Sequence, residues 1–203
     1  SGRHREHAES EVLEPLAQTV ASTSPLLISI AAGITCNLMT RWLKTEVGVI
    51  RCMPNTPALL GEGATALFAN PRVTAEPRAQ ALSIMQSVGL ALWVDEESAL
   101  DAVTAVSGSG PAYFFLMMEL MQQAGEKQGL SASVSRQLTI QTALGAAKMA
   151  LGSDVDVMEL RRRVTSPNGT TQAAIESFFN KRMSEHVERA VETATDRSIE
   201  MSE

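Results

Sequence analysis

The chain has 203 residues, with 17 Lys and Arg against 23 Asp and Glu, a formal net charge of −6, and a hydrophobic share of 44%. This composition predicts a soluble globular protein of one full domain or two small ones, because disordered chains are less apolar and more highly charged. The acidic balance argues against nucleic acid as a partner, since phosphate binding requires clustered Lys and Arg. Arg161–Arg163 is the only basic cluster.

The first part of the chain alternates helix-like and strand-like segments. Apolar residues recur at three- and four-residue intervals over Glu11–Ala21, the spacing of an amphipathic helix. The segments that follow are a strand at Leu26–Ala31, a short helix around Leu38–Leu43, a strand at Val47–Arg51, the segment Ala64–Ala69, a helix at Ala75–Val88 stopped by Gly89, and a strand at Ala91–Val94. Strands joined by helices of about ten residues imply parallel pairing, so we expect a partial parallel sheet.

From Asp101 onward the sequence shows helical periodicity with almost no strand signal. We therefore expect an α/β part at residues 1–98 and an all-α part at residues 99–203, with the boundary near Glu96–Leu100. The predicted helices are Ala112–Gly125, Ser131–Leu151, Met158–Val164, Thr171–Phe179 and Ser184–Met201. Ala112–Gly125 is apolar nearly all round, which predicts burial on more than one side; a monomer this small could hardly bury it alone.

The cysteine and histidine content predicts neither a disulfide nor a metal site. Cys36 and Cys52 lie among apolar neighbours without metal-ligand spacing, which indicates buried thiols in a reducing compartment and a cytoplasmic location. The longest uncharged stretch, Pro15–Thr40, is interrupted by proline, glycine and hydroxyl residues, so it predicts no membrane span, and no signal peptide is recognised. The three histidines are His4 and His7 in a polar segment expected to be frayed, and the distant His186.

Two segments at predicted strand ends are candidate ligand sites. Met53–Pro57 contains two prolines that stiffen the loop and leave Asn55 and Thr56 as its polar groups. A rigid polar loop at the carboxyl end of a parallel strand is where α/β sheets bind ligands, although the local pattern alone favours a stiff connector between strands, since most loops merely connect. The small side chains of Ala31–Gly33 allow a flat ligand or another backbone to come close. The alternative is a tight turn between strand and helix.

Two further candidates lie at predicted helix starts. Ser107–Pro111 precedes the apolar helix, where free amides attract anions, although glycines there also ease the packing of the first turn. Thr165–Thr171 runs from a constrained turn into a helix, presenting hydroxyls, an amide and unpaired backbone N–H groups. With no Lys or Arg inside it, this turn predicts a receptor for a small acid; the alternative is ordinary capping by Thr170.

Several long motifs resemble pyrroline-5-carboxylate reductases. They are Arg51–Pro57, Gly61–Thr65, Asp101–Tyr113, Leu144–Met149 and Val164–Thr171, within a resemblance that extends from about Leu13 to Glu200. The resemblance implies NAD(P)H-dependent reduction of 1-pyrroline-5-carboxylate to L-proline, the last step of proline synthesis. It also implies a Rossmann domain followed by a helical dimerisation domain that interlocks with a second subunit, as a homodimer or a larger homo-oligomer.

The resemblance also assigns roles to the candidate segments. It implies that the nicotinamide side of NADP or NAD is lined by Ala31, Ala32, Gly33, Met53, Pro54, Asn55, Thr56 and Pro57. It implies that the substrate, pyrroline-5-carboxylate, is bound by Ser166, Asn168, Gly169, Thr170 and Thr171. Among these, Thr171 is expected to hydrogen-bond the ring nitrogen and so act in catalysis, while Ser166, Gly169 and Thr170 hold the carboxylate. No metal is implied.

The sequence departs from the family in two places. Asn168 stands where many members have glycine, which a turn tolerates because Asn adopts left-handed geometry readily. The family's opening strand, Gly-x-Gly-x-x-Gly turn and helix have no counterpart in residues 1–203. We therefore expect a fragment of a longer reductase with impaired dinucleotide binding.

Two other functions remain open at this point. The first is a non-catalytic dimerisation or ligand-binding remnant of such an enzyme. The second is another Rossmann-plus-helices reductase, such as a hydroxyacid dehydrogenase, which would carry a catalytic lysine in its helical region. The candidate for that lysine is Lys148, which matches the pyrroline-5-carboxylate reductase motif instead.

Overall fold

A computed structural model describes residues 10–202, which contain a four-stranded sheet in the order β1-β2-β3-β4. The strands are β1 Leu27–Ser29, β2 Val49–Met53, β3 Gly63–Ala69 and β4 Gly89–Trp93. β1 pairs with β2 in parallel and β3 pairs with β4 in parallel, whereas β2 and β3 are antiparallel. The sheet thus consists of two parallel pairs that run in opposite directions.

The antiparallel β2–β3 pair corrects the expected parallel sheet at one of its three strand pairs. These strands are joined by a 3-10 helix at Thr56–Leu60 instead of a long α-helix. A parallel connection needs a crossover of about a dozen residues or more, so this short link simply reverses the chain. The strand predicted at Val47–Arg51 lies two residues later in the structure, at Val49–Met53. The strand predicted at Leu26–Ala31 is shorter and spans Leu27–Ser29.

Apart from the short helix Ala99–Val103, which has no predicted counterpart, the helices follow the predicted order. They are α1 Ala17–Thr23, α2 Cys36–Leu43, α3 Ala75–Gln86, α4 Ala99–Val103, α5 Gly110–Lys127, α6 Ala132–Leu151, α7 Val157–Arg163, α8 Thr170–Asn180 and α9 Met183–Glu200. The helix predicted at Glu11–Ala21 is helical from residue 10 but has 3-10 geometry at Glu14–Leu16, where Pro15 removes a donor. In residues 10–202 no helix is long and apolar enough to cross a membrane.

Gly89 does not stop a helix, as the sequence suggested, but begins β4. Helix α3 ends at Gln86 with Ser87 as its C-cap. Gly89 has φ 140° and faces Gly63 in the parallel β3–β4 pair, where a Cβ atom would collide with the Gly63 backbone. A close approach of two backbones, and not helix termination, therefore explains this glycine.

The chain forms two compact units. One runs up to Pro111 and also takes in the residues from Ala190 onward, and the other comprises Ala112–Arg189. The division into residues 1–98 and 99–203 stays a prediction.

The core of the first unit covers both faces of the sheet. On one face Val49 packs with Val20 of α1 and Met39 of α2. On the other face, Ile50 packs in a cluster with Ala81 of α3. Because successive strand residues point to opposite faces, all five residues of β2 are buried, as in a central strand of an α/β sheet.

The second unit leaves much apolar surface open. In α5, Phe114, Phe115 and Leu116 are 69%, 65% and 55% exposed in the single chain. Monomeric proteins rarely expose contiguous apolar surface of this kind. The expectation that one chain cannot bury this helix alone is therefore confirmed.

Candidate functional site

The two segments expected to line a cofactor lie at the same edge of the sheet. Ala31–Gly33 follows the end of β1, and Met53–Pro57 begins at the last residue of β2. Since β1 and β2 run in parallel, their carboxyl ends share one edge. The predicted position of both segments relative to the sheet is confirmed.

Gly33 is small because another part of the chain packs against it. It has φ +80°, and a Cβ atom there would lie 2.8 Å from the carbonyl oxygen of Met201. Ser198, three residues before Met201, fixes the end of α9: its hydroxyl donates a hydrogen bond to Asp101 Oδ1 at 2.7 Å. Small residues here allow either a flat ligand or another backbone to come close. In the structure a backbone packs against Gly33, while Ala31 and Ala32 remain half-buried.

The side chain of Asn55 bonds within the chain. Its Nδ2 donates to the carbonyl of Ser107 at 3.0 Å, and its Oδ1 accepts from the amide of Ala64 at 2.9 Å. Thr56 is exposed and Met53 is buried. The loop is thus held rigidly between β2 and β3 and leaves Thr56 exposed at the surface, while its role in cofactor binding stays a prediction.

The helix start considered for an anion at Ser107–Pro111 does not follow a free loop. Helix α4 continues through a π-helical turn at Thr104–Gly108 directly into α5. The amide of Ser109 donates to the carbonyl of Thr104 at 2.8 Å. The π-helical turn therefore uses one of the amides considered for the anion, and the anion site stays a prediction.

The turn at Thr165–Thr171 has the predicted shape. Asn168 adopts φ 59°, and its amide donates to Gln172 Oε1 at 2.8 Å. Gly169, not Thr170, is the N-cap of α8, and no side chain caps the helix. The alternative of ordinary capping by Thr170 is therefore wrong.

The start of α8 offers donors to an anion. Among the residues that the structure describes, the amides of Thr170 and Thr171 have no hydrogen-bond acceptor, whereas the amide of Gly169 donates to Ser166 O at 3.1 Å. Ser166, Asn168 and Thr170 are exposed, and Thr171 is half-buried. Free amides and the positive end of a helix dipole together favour a carboxylate.

Cationic side chains precede this turn along the chain. Glu159 accepts from Arg162 at 2.6 Å and from Arg163 at 2.9 Å, and these hydrogen bonds lower the pKa of Glu159 to about 2. One carboxylate thus faces two guanidinium groups. Arg161 stacks on Phe179, with 5.2 Å between the guanidinium carbon and the ring centre, and its carbonyl accepts from Thr165 Oγ1.

The two predicted groups of site residues belong to different compact units. Ala31–Gly33 and Met53–Pro57 lie in the first unit, and Ser166–Thr171 lies in the second. Both cysteines are buried free thiols, as predicted. The described residues contain no cluster of His, Cys, Asp and Glu suited to a metal, and His4 and His7 lie outside them.

A buried ion pair in the first unit escaped the sequence analysis. Arg51 in the middle of β2 is only 6% exposed, and its Nη1 lies 2.9 Å from Glu97 Oε1. The same oxygen accepts from the amide of Cys36 at 2.8 Å. An arginine inside an otherwise apolar strand was the available signal, since charged residues are rarely buried without a partner.

Comparison with known proteins identifies the family. The pyrroline-5-carboxylate reductase dimerisation profile matches residues 97–201. A pyrroline-5-carboxylate reductase of Pseudomonas aeruginosa is 57% identical over 178 residues, which are 88% of this chain but only 65% of that protein. The enzyme of that name from Vibrio alginolyticus is 42% identical over 193 residues, covering 95% of this chain and 71% of its own length.

Solved structures agree with this result. A pyrroline-5-carboxylate reductase from Coxiella burnetii matches with a TM-score of 0.92 and 43% identity, covering 97% of this chain and 73% of that one. Plasmodium falciparum pyrroline carboxylate reductase with NADP bound matches with a TM-score of 0.88 and 32% identity, covering 98% and 79%. The predicted fold class, a partial Rossmann-type sheet followed by a helical dimerisation domain, is confirmed. On the residues and the folds compared, this chain belongs to the pyrroline-5-carboxylate reductase family.

Proposed function

We propose that the chain is part of an oxidoreductase that uses NADPH or NADH to reduce 1-pyrroline-5-carboxylate to L-proline in the cytoplasm. Its relatives carry the name of that activity, and one solved relative holds NADP. The observation that carries the proposal is the Thr165–Thr171 turn, because it presents free amides and hydroxyls at a helix start without a fixed positive charge. That chemistry suits a small carboxylic acid.

The substrate end of the reaction is assigned to this turn. The carboxylate of pyrroline-5-carboxylate is held by the amides of Thr170 and Thr171 and by the hydroxyls of Ser166 and Thr170. The hydroxyl of Thr171 hydrogen-bonds the ring nitrogen. Asn168, in left-handed geometry, makes the turn that brings these groups together.

The cofactor end is assigned to the carboxyl edge of β1 and β2. Ala31 and Ala32 fit a flat nicotinamide ring, because neither side chain extends beyond Cβ and the Gly33 side is already covered by Met201. Bound NAD(P)H supplies a hydride. Met53–Pro57 forms the other wall of this edge, and its prolines keep that wall rigid.

The chemistry requires little acid–base work from the protein. The imine carbon gains a hydride, the nitrogen carries a proton, and the C=N bond becomes the C–N bond of proline while the cofactor is oxidised. An imine accepts hydride better when its nitrogen is protonated. A threonine hydroxyl is a weak acid, so Thr171 contributes by orienting and stabilising the protonated nitrogen.

We further propose that the chain assembles as a homodimer or a larger homo-oligomer. The dimerisation profile covers residues 97–201, and Phe114, Phe115 and Leu116 are exposed in the single chain. A second copy would bury this surface in a self-complementary contact. Light scattering should then give at least twice the 21.8 kDa mass of one chain.

Assembly is tested by a substitution that introduces a charge on this apolar surface. Phe115→Glu should produce monomers, because a carboxylate cannot be buried unpaired in an apolar contact. Glu119→Ala on the same helix is the matched control and should leave the mass unchanged. A monomeric parent chain would contradict the proposal.

The test of activity is substrate-dependent oxidation of NADPH and NADH, with L-proline measured as the product. We would assay the 203-residue chain beside a version joined upstream to a reductase strand, glycine-rich turn and helix. Proline formation in either version supports the function. Assembly without reduction in both versions would favour the alternative, a non-catalytic dimerisation or ligand-binding remnant.

A further inference from the structure

Glu97 connects two elements that are far apart in sequence. Its Oε1 lies 2.9 Å from Nη1 of Arg51 and accepts from the amide of Cys36 at 2.8 Å. Arg51 belongs to the central strand β2, and Cys36 is the first residue of α2. One carboxylate oxygen therefore joins the start of a helix to the middle of the sheet.

The helix start is well suited to this carboxylate. Thr35 is the N-cap of α2, and its hydroxyl accepts from the amide of Leu38. The Cys36 amide would otherwise be an unpaired donor in the first turn, so Glu97 satisfies it and places a negative charge at the positive end of the helix. A helix start can bind a ligand anion, but at the start of α2 the side-chain carboxylate of Glu97 occupies that position.

Arg51 depends on the same carboxylate. Its side chain is 7% exposed, and its Nε has no hydrogen-bond partner among the residues that the structure describes. Removing one partner of a buried ion pair leaves an uncompensated charge. Glu97 therefore balances the charge of Arg51 as well as capping α2.

The turn Ala31–Gly33 connects β1, the strand paired with β2, to α2. Its first end follows β1, where Ser29 pairs with Arg51 in the parallel register. Its other end leads through Thr35 into α2, whose first amide is held by Glu97. The geometry of the turn is therefore set at one end by the β1–β2 pairing and at the other by Glu97.

We propose that Glu97 is a positioning residue for the cofactor, which holds the Ala31–Gly33 turn at the sheet edge where the nicotinamide binds. In this proposal Glu97 acts through the turn and not by contact with the substrate or the reacting atoms. This inference rests on the proposed function, because the role of the turn in binding NAD(P)H is part of that function. It predicts that loss of Glu97 weakens cofactor binding selectively.

The test compares Glu97→Ala and Glu97→Gln with Glu96→Ala, which removes a neighbouring exposed carboxylate. The Glu97→Gln variant still offers an oxygen to the Cys36 amide but does not balance the charge of Arg51. The double variant Arg51→Met/Glu97→Gln leaves no buried unpaired charge, which keeps a folded protein available. Each variant is examined by hydrogen exchange of the 31–38 segment and by titration with NADPH and with pyrroline-5-carboxylate.

In Glu97→Ala we expect exchange of the Cys36 amide to accelerate about tenfold or more, since its acceptor is lost. The Kd for NADPH should rise about fivefold or more, with the KM for pyrroline-5-carboxylate within about twofold of the parent. Glu97→Gln should restore much of the exchange protection and part of the affinity, and Glu96→Ala should match the parent.

Two results would overturn the inference. Unchanged exchange at Cys36 would mean that Glu97 does not hold the turn. Faster exchange with unchanged NADPH affinity would mean that the contact is structural only. If neither the parent chain nor its upstream-extended version binds NADPH or reduces the substrate, the proposed function fails, and the exchange data still decide whether Glu97 holds the turn.

Discussion

Asn55 donates from its side-chain Nδ2 to the carbonyl oxygen of Ser107 at 3.0 Å, across 52 positions of sequence. Its Oδ1 accepts from the amide of Ala64, directly after the first residue of β3. One amide side chain thus fastens the loop after β2 to the π-helical turn and to the next strand. The loop is held by this side chain as well as by its prolines.

We expect Asn55→Ala to lower the free energy of unfolding by about 2–3 kcal/mol, because it leaves the Ser107 carbonyl and the Ala64 amide without their partner. Asn55→Asp keeps the acceptor for Ala64 but sets a carboxylate oxygen against the Ser107 carbonyl oxygen, so it should destabilise as well. Urea unfolding followed by the fluorescence of Trp42 and Trp93 measures the effect. Thr56→Ala, at an exposed neighbour, should be nearly neutral, and an equally large loss there would contradict the assignment.

Gly33 and Gly61 provide a matched test of how the segment around Met201 packs within the first unit. Both residues have positive φ, +80° at Gly33 and +76° at Gly61. A Cβ atom on Gly33 would lie 2.8 Å from Met201 O, whereas a Cβ atom on Gly61 would have no neighbour within 4 Å. Gly61→Ala should cost about 1 kcal/mol for backbone strain alone. Gly33→Ala should cost about 2–3 kcal/mol, since it also displaces the end of α9.

The comparison is made by thermal and urea unfolding of both variants. Equal losses at the two glycines would show that the chain near Met201 moves aside freely. A larger loss at Gly33 would confirm that this part of the chain is a fixed wall of the Ala31–Gly33 turn.

Thr171→Ala should lower turnover about tenfold or more with folding intact, because it removes one hydrogen bond, worth about 1.4 kcal/mol, to the nitrogen in the transition state. Thr171→Ser keeps the hydroxyl and should retain most activity. Thr170→Ala should act mainly on the KM for pyrroline-5-carboxylate. The measurement is steady-state reduction, with circular dichroism as the folding control, and turnover of Thr171→Ala near that of the parent would reject the role.

Neither thiol should react readily in the native protein. Burial raises the pKa of Cys36 to about 12, with the charge of Glu97 adding to the effect, and burial raises the pKa of Cys52 to about 11. Both are therefore protonated and shielded at pH 8, so a disulfide reagent should label them much more slowly than in urea, where two thiols per chain react.

The same pKa shifts give a sign for the pH dependence. The folded state keeps protons that the unfolded state loses above the ordinary thiol pKa of about 9. The free energy of unfolding should therefore fall as the pH rises from about 9 towards 11–12, and Cys52→Ala should reduce this slope. A thiol that reacts rapidly in the native protein would contradict the burial on which both expectations rest.

Much of the architecture follows from local sequence. The order of strands and helices is visible because apolar spacing depends on neighbours within a few turns, as in α6, where Ser131 caps the predicted helix. The shape of the Thr165–Thr171 turn was also predictable, since its hydrogen bonds join residues at most four positions apart. The family motifs identified both candidate segments for the same reason, as each is continuous in sequence.

Tertiary structure alone decided the features that depend on distant partners. The antiparallel β2–β3 pair, the contact of Met201 with Gly33 and the role of Glu97 involve segments whose meeting depends on the whole fold. Glu97 and Cys36 are 61 positions apart, and no periodicity encodes which buried donor a carboxylate will meet. Periodicity shows which side of an element is apolar, but a buried polar group takes whichever partner the packed chain brings within hydrogen-bond distance.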